Sequence, residues 1–281
     1  MNDEFVKMYI PEDWGEIRRF LTFYSTTYEF NNRQIAAAFG IEGQFSRIQL
    51  LLNLMENVMP ALEEEHKELE EKGISSGFRS KTFSALIESV YIGLYSVLDC
   101  LRETLFALYS TSRGISGKST SKLFTNALND KIEDTVPKPI RKALAECQWF
   151  PKFQELRTTL IHFNVGSCHY DKSKNVISYF NEEIFHGGKP LVIEDVGSEI
   201  RTLFQNTNEL LGKVFKEINS GLDNGKVLTN CGIYKGRIYQ RWISTLDHNS
   251  FNSGRCQSKE WFDNNENFKC PLAGECGAYN K

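Results

Sequence analysis

Apolar residues recur three and four positions apart along much of this chain, the spacing that paints one face of a helix. Between Ile41 and about Lys72 they are Phe45, Ile48, Leu51, Leu52, Met55 and Met59, which predicts a long helix that Pro60 should kink or restart. Its end, the charged run 63–72, reads as a solvated face. After a break at Gly73 to Gly77 a second long helix is expected from about Ser80 to Ser110. Its stripe is Phe83, Ile87, Val90, Tyr91, Leu94, Leu98, Leu101 and Leu105. A Ser/Gly loop, Thr111 to Thr120, leads to short helices near Ser121 to Asp130 and Pro139 to Cys147. Pro151 suits a first helical turn, where its missing N–H costs nothing. Phe153, Leu156, Leu160 and Phe163 then continue one stripe, with Gly166 expected to end the helix. The last long helix spans Ile193 to Ser220, and Thr207 interrupts its apolar face with a hydroxyl that can bond back to a carbonyl one turn earlier.

Two stretches follow a different period. Val165 to Tyr170 and Asn175 to Phe180 flank Asp171-Lys-Ser-Lys174 and predict a small β-hairpin. Ile233 to Ile243 is strand-like within a tail rich in Gly, Asn and aromatics. The expected architecture is all-α: four or five principal helices with a hairpin insertion near 165–180 and a small irregular C-terminal module. The expected domains are a mixed segment 1–40 packing on the bundle, the bundle itself at 41–221, and the module at 222–281.

Composition narrows the function. Across 281 residues, 41% hydrophobic and 25% charged positions supply a sizeable core, and a net charge of −3 gives no whole-molecule attraction to nucleic acid. RNA contact would need a local patch. Lys138, Arg141, Lys142 and Lys152 form one, leading into Arg157 against only Glu146 and Glu155. The N-terminus lacks a basic-then-apolar leader and no run of eighteen apolar residues occurs, so a soluble cytoplasmic protein without membrane partners is expected. Seven cysteines, with Cys100 and Cys147 in helical patterns, favour reduced thiols. Cys231, Cys256, Cys270 and Cys276 fall in the loop-rich tail, where four thiolates can hold a structural zinc or simply remain free. His162, Cys168 and His169 make a poor metal set, because neighbours on a strand face opposite ways. Phosphate loops, Ser-His-Asp order and HExxH are absent from the sequence, which leaves kinase, hydrolase and metalloprotease readings without support.

The stretch Phe153 to Phe163 carries the chemistry. Arg157 offers a permanently charged fork that matches phosphate, and His162 can move a proton near neutral pH. Together they suit RNA cleavage without metal. Spacing alone has little specificity, since Arg241 and His248 nearly repeat it seven apart. On a regular helix positions five apart point about 140° from each other, so convergence requires a loosened helix end or a second subunit. On the preceding long helix, Asp99 and Arg102 either satisfy each other or brace the arginine.

Leu156-Arg-Thr-Thr-Leu-Ile-His-Phe163 resembles the R-x(4–6)-H signature of the HEPN superfamily, and the long helices on either side extend that likeness over about residues 41 to 220. The resemblance implies a HEPN-like bundle acting as a homodimeric, metal-independent endoribonuclease with Arg157 and His162 at the cleft between subunits. It also implies no catalytic cofactor, and a toxin or antiviral-defence role with an antitoxin or defence-system partner. Where many members have Asn, Asp or His after the arginine, this chain has Thr158. Asp99 matches the acidic residue that members place near the arginine, and Arg102 and Asn164 are further supporting candidates. The alternative within the family is a non-catalytic scaffold that binds RNA or a partner protein.

Overall fold

The computed structural model describes residues 6–7, 15–160, 165–174, 176–186, 189–234, 236–246, 252–265 and 268–281, and the chain divides into two units, 33–211 and 1–32 with 212–281. In the larger unit the helical stripes become α2 (Asn32–Lys72), α3 (Phe78–Tyr109), α4 (Thr120–Leu128), α5 (Lys138–Ala145), α6 (Phe150–Leu160) and the first part of α7 (Val196–Ser220). Helix α3 is the axis of its core. Ile87, Val90, Tyr91, Leu94, Val97, Leu98, Leu101 and Leu105 are buried along it. It is long and apolar enough to cross a membrane, but 61% of its most apolar window is buried inside the protein, which marks a core helix. Rings tie the elements together: Phe45 meets Phe204 edge-on at 5.3 Å, and Phe124 stacks on Phe150 at 4.0 Å.

Pro60 does not divide α2, which runs through it as one 41-residue helix. Pro60 and Glu56 are both exposed, so the carbonyl deprived of its N–H partner can be hydrated. Nor is the acidic end of α2 wholly a solvated face. Glu65 is only 4% exposed, and its carboxylate accepts the N–H groups of Ser80 at 2.7 Å and Arg79 at 3.3 Å, and the Ser76 hydroxyl at 3.0 Å. Gly77 at the start of α3 has no side chain to cap it, so a carboxylate from α2 satisfies the orphan amides of the first turn. Glu65→Ala should destabilise by about 1–3 kcal/mol, with Glu65→Gln retaining part of that, read as a fall in the thermal midpoint.

An all-α fold is the wrong class. The chain is mixed α/β, with helices dominant and, among the described residues, two antiparallel sheets. In the larger unit the predicted hairpin turns at Asp171, whose carboxylate accepts the N–H groups of Ser173 and Lys174 at 2.9 and 3.2 Å. It belongs to a three-stranded sheet in the order β2 (Ser167–Asp171), β3 (Val176–His186) and β4 (Lys189–Ile193). The third strand escapes the period-two signal because β3 carries Asn181, Glu182 and Glu183 and its pairing register shifts between Asn181 and Phe185. The expected helix end before Gly166 falls on residues 161–164, outside the described residues. A Cβ on Gly166 would stand 2.6 Å from the Tyr179 ring and the Phe180 carbonyl, so its role is close approach to β3.

In the smaller unit, α1 (Gly15–Phe23) and a 3₁₀ turn (Tyr24–Thr26) accompany a four-stranded sheet in the order β1 (Val6–Lys7), β5 (Lys226–Tyr234), β6 (Arg237–Ser244), β7 (Arg255–Cys256). Helix α8 (Lys259–Asp263) follows. The expected irregular C-terminal module is therefore sheet-based. The strand-like run Ile233 to Ile243 is not one strand: it divides at Gly236, whose φ is +74°, into the end of β5 and most of β6, and β6 buries Tyr239, Arg241 and Ile243 on one face.

Candidate functional site

Helix α6 buries Phe153, Leu156 and Leu160, which turns Arg157 toward α3 at intermediate exposure and leaves Thr158 in solvent. The guanidinium carbon of Arg157 lies 4.4 Å from the centroid of the Tyr95 ring. Its Nε is buried without a hydrogen-bond partner, and among the described residues no group accepts from this side chain or pairs with it. Tyr95 and Asp99 are one turn apart on α3, so they share a face. Burial and then the Asp99 carboxylate push the Tyr95 phenol up, while the charges of Arg157 and Arg102 pull the other way. Arg157, Asp99 and Arg102 thus act on one tyrosine, which lies outside the apolar stripe read from the sequence. Its position four residues before Asp99 is the one sequence signal that points to it.

Asp99 and Arg102 do not pair directly. The Thr120 hydroxyl, at the start of α4, donates to Asp99 and accepts from Arg102 Nε at 3.2 Å. Arg102 also donates to the Gly117 carbonyl at 2.6 Å and to Glu103 at 2.9 Å, and it is 7% exposed. Burial alone would raise the Glu103 carboxyl, but Arg102 and Arg33 hold it below the usual carboxylate range. Every nitrogen of Arg102 is engaged, which assigns it to holding α3 against the loop before α4.

His162 and Asn164 lie outside the described residues, as does His248. The chain resumes at Val165 on the wall of an open cleft of about 490 Å³ lined by Lys81, Gly166, Asn181 and Glu182 among others. Beneath it Glu88, 8% exposed, accepts the Tyr179 hydroxyl at 2.7 Å and the Gly166 N–H at 2.9 Å. Lys81 and Tyr95 are fourteen residues apart on α3, about 21 Å along its axis, so this cleft and the Arg157 site occupy different stretches of that helix.

The basic patch is partly neutralised. Arg141 pairs with Asp134 at 2.7 Å, Lys142 with Glu146 at 3.8 Å, and Lys152 with Glu199 at 3.7 Å. Lys138 is exposed at the start of α5. Cys168 and His169 face opposite sides of β2 as expected, with Cys168 buried and His169 exposed. Burial and the Glu88 carboxylate push the Cys168 thiol up to about 12, against a hydrogen bond from Ser84. The four tail cysteines line one cavity, although among the described residues no group of three or more histidines, cysteines or acids is already arranged to hold a metal ion.

No family model, curated protein or solved structure matches this chain.

Proposed function

We propose that the chain is a metal-independent endoribonuclease of the HEPN type, with Arg157 as the phosphate ligand and His162 as the proton carrier. The supporting observation is the state of Arg157: a cation set over the Tyr95 ring with no acceptor among the described residues. A half-buried guanidinium in that condition favours an anionic ligand, and its planar fork fits two phosphate oxygens. Asp99, acting on the same tyrosine, contributes the local negative charge that keeps the site from being purely cationic.

In the proposed reaction His162 takes the proton of a ribose 2′-hydroxyl and the 2′-oxygen attacks phosphorus. The bond to the 5′-oxygen breaks and that oxygen takes up a proton, leaving a 2′,3′-cyclic phosphate. Arg157 neutralises the charge gathering on the phosphoryl oxygens. Two copies of the chain would supply the cleft, as the family resemblance implies, with a toxin or antiviral-defence role as its setting.

Incubation with total RNA in the presence of a chelator should yield fragments ending in cyclic phosphate, while DNA of the same sequence stays intact. RNA that is retarded in a gel yet uncut would instead identify the non-catalytic binding scaffold. RNA neither bound nor cut would remove the nucleic-acid reading altogether.

A further inference from the structure

Among its described residues the tail has few buried apolar side chains, Tyr239, Ile243, Phe262, Cys276 and Ala278. Beside β5 and β6 one small buried cluster consists of Phe23 and Ile243, with Leu222 and Val227 packed partly against it. A module this small ordinarily needs a covalent or metal staple. Cys231, Cys256, Cys270 and Cys276 come from four separate places in the module, yet all four line a single cavity of about 20 Å³. That volume holds one water-sized occupant, which admits a single ion and excludes a multi-iron cluster.

The backbone has been shaped to bring these sulfurs inward. Cys231 sits where the β5–β6 register shifts between Asn230 and Gly232, and an extra residue at such a point re-aims its side chain. Cys256 on β7 stands opposite Arg241 on β6. Gly254 makes that placement possible: its φ is +81°, and a Cβ there would stand 2.1 Å from the Trp242 carbonyl. The Cys256 N–H donates to the Ala278 carbonyl at 2.9 Å, drawing the turn after Cys276 onto β7. Cys270 and Cys276 are joined by a chain of tight turns, with Ala273 N–H bonded to the Cys270 carbonyl and Cys276 N–H to that of Leu272.

The sulfurs also meet donors. The amide of Ser258 donates to the Cys256 sulfur and that of Leu272 to the Cys270 sulfur, each two residues beyond its cysteine. Arg241, 2% exposed, donates to the Cys276 sulfur at 3.4 Å and also hydrogen-bonds Cys231. N–H groups aimed at sulfur orient it, the part that outer-shell groups play around metal ligands. The stacked pair Tyr239 and Phe262, 4.6 Å apart, gives the cavity an apolar wall.

We propose that Cys231, Cys256, Cys270 and Cys276 together bind one structural zinc ion. Four sulfur ligands around a single small divalent ion is a tetrahedral zinc arrangement. Binding breaks the four S–H bonds and delivers four protons to solvent, with no change of oxidation state, and Zn–S bonds of about 2.3 Å form. The complex of one Zn²⁺ with four thiolates carries net charge −2, of which the buried Arg241 guanidinium offsets one. The four sulfurs line the cavity without being already grouped to hold an ion, and coordination would draw them together.

The test uses the full chain, purified under thiol reductant, equilibrated with zinc sulfate and gel-filtered. The expected result is one zinc per chain by elemental analysis. Cobalt(II) alone should give intense sulfur-to-metal charge transfer and the d–d bands of a tetrahedral site. Cys256→Ser and Cys276→Ser should each lose the zinc, whereas Cys147→Ser, altered in α5's flank, should keep it. Wild-type protein that retains no zinc overturns the proposal even if every variant fails to fold. So does an intact mass four hydrogens light, which would mean two disulfides, and so does iron in place of zinc or equal zinc in all variants.

Discussion

Arg157→Ala should reduce RNA cleavage by about 10²–10³-fold, the range seen when a group that stabilises developing charge is removed, and leave the protein folded. The two halves of that expectation rest on one feature. Arg157 makes no hydrogen bond or ion pair within the described protein, so truncating it strands no buried partner. What is lost structurally is its contact with the Tyr95 ring, about 0.5–1 kcal/mol. Arg157→Lys should also fail, because a point charge cannot grip two phosphate oxygens as a planar fork does. Cleavage rates on a fluorogenic RNA, measured beside thermal melts of the same samples, decide the matter. Wild-type rates in the alanine variant would remove Arg157 from the reaction and the proposed function with it.

Arg102→Ala should do the reverse, destabilising by about 3–5 kcal/mol while the folded fraction keeps its cleavage rate. Its three guanidinium nitrogens serve Thr120, the Gly117 carbonyl and Glu103, in a place almost closed to water. Removing them leaves a carboxylate, a hydroxyl and a carbonyl short of donors, and the penalty of unpaired buried polar groups exceeds what the contacts contribute when made. The denaturant midpoint should fall with an unchanged slope. A variant as stable as wild type yet inactive would return Arg102 to the catalytic candidates. The comparison is informative because both arginines act on Tyr95, so electrostatic proximity alone does not separate them.

The sequence allowed Arg157 to be singled out as a phosphate ligand by residue type and helical context, but it could not tell Arg157 from Arg102 by availability. Hydrogen-bond partners come from segments far along the chain: Gly117 and Thr120 lie in and after a loop whose path no local pattern encodes. The same holds for Asp99, which was expected either to meet Arg102 or to brace Arg157. It reaches Arg102 only through the Thr120 hydroxyl, and it shares the Tyr95 environment with Arg157. Glu65 illustrates a further limit. An acidic residue in an acidic run reads as solvated, and only the approach of the α3 amides turns it into a buried cap.

Helix positions were legible because a 3.6-residue apolar period over twenty or more residues has few other physical outcomes. The stripes of α2, α3 and α7 lie where that period put them, although α2 begins nine residues before the expected Ile41 because the Ala-rich turn there carries little pattern. Sheet content was less legible. Strands β3 and β5 both contain register shifts, and a one-residue shift reverses which side chains face inward, so the alternation that betrays a strand is broken. For this protein the sequence determined its long helices, its turn at Asp171 and the residue types available for chemistry. Tertiary structure alone decided that two sheets complete the fold, that Arg102 is engaged and Arg157 open, and that four scattered cysteines surround one cavity. The physical reason is the same in each case: periodicity is a local property of the chain, whereas pairing partners and enclosure exist only once distant segments have met.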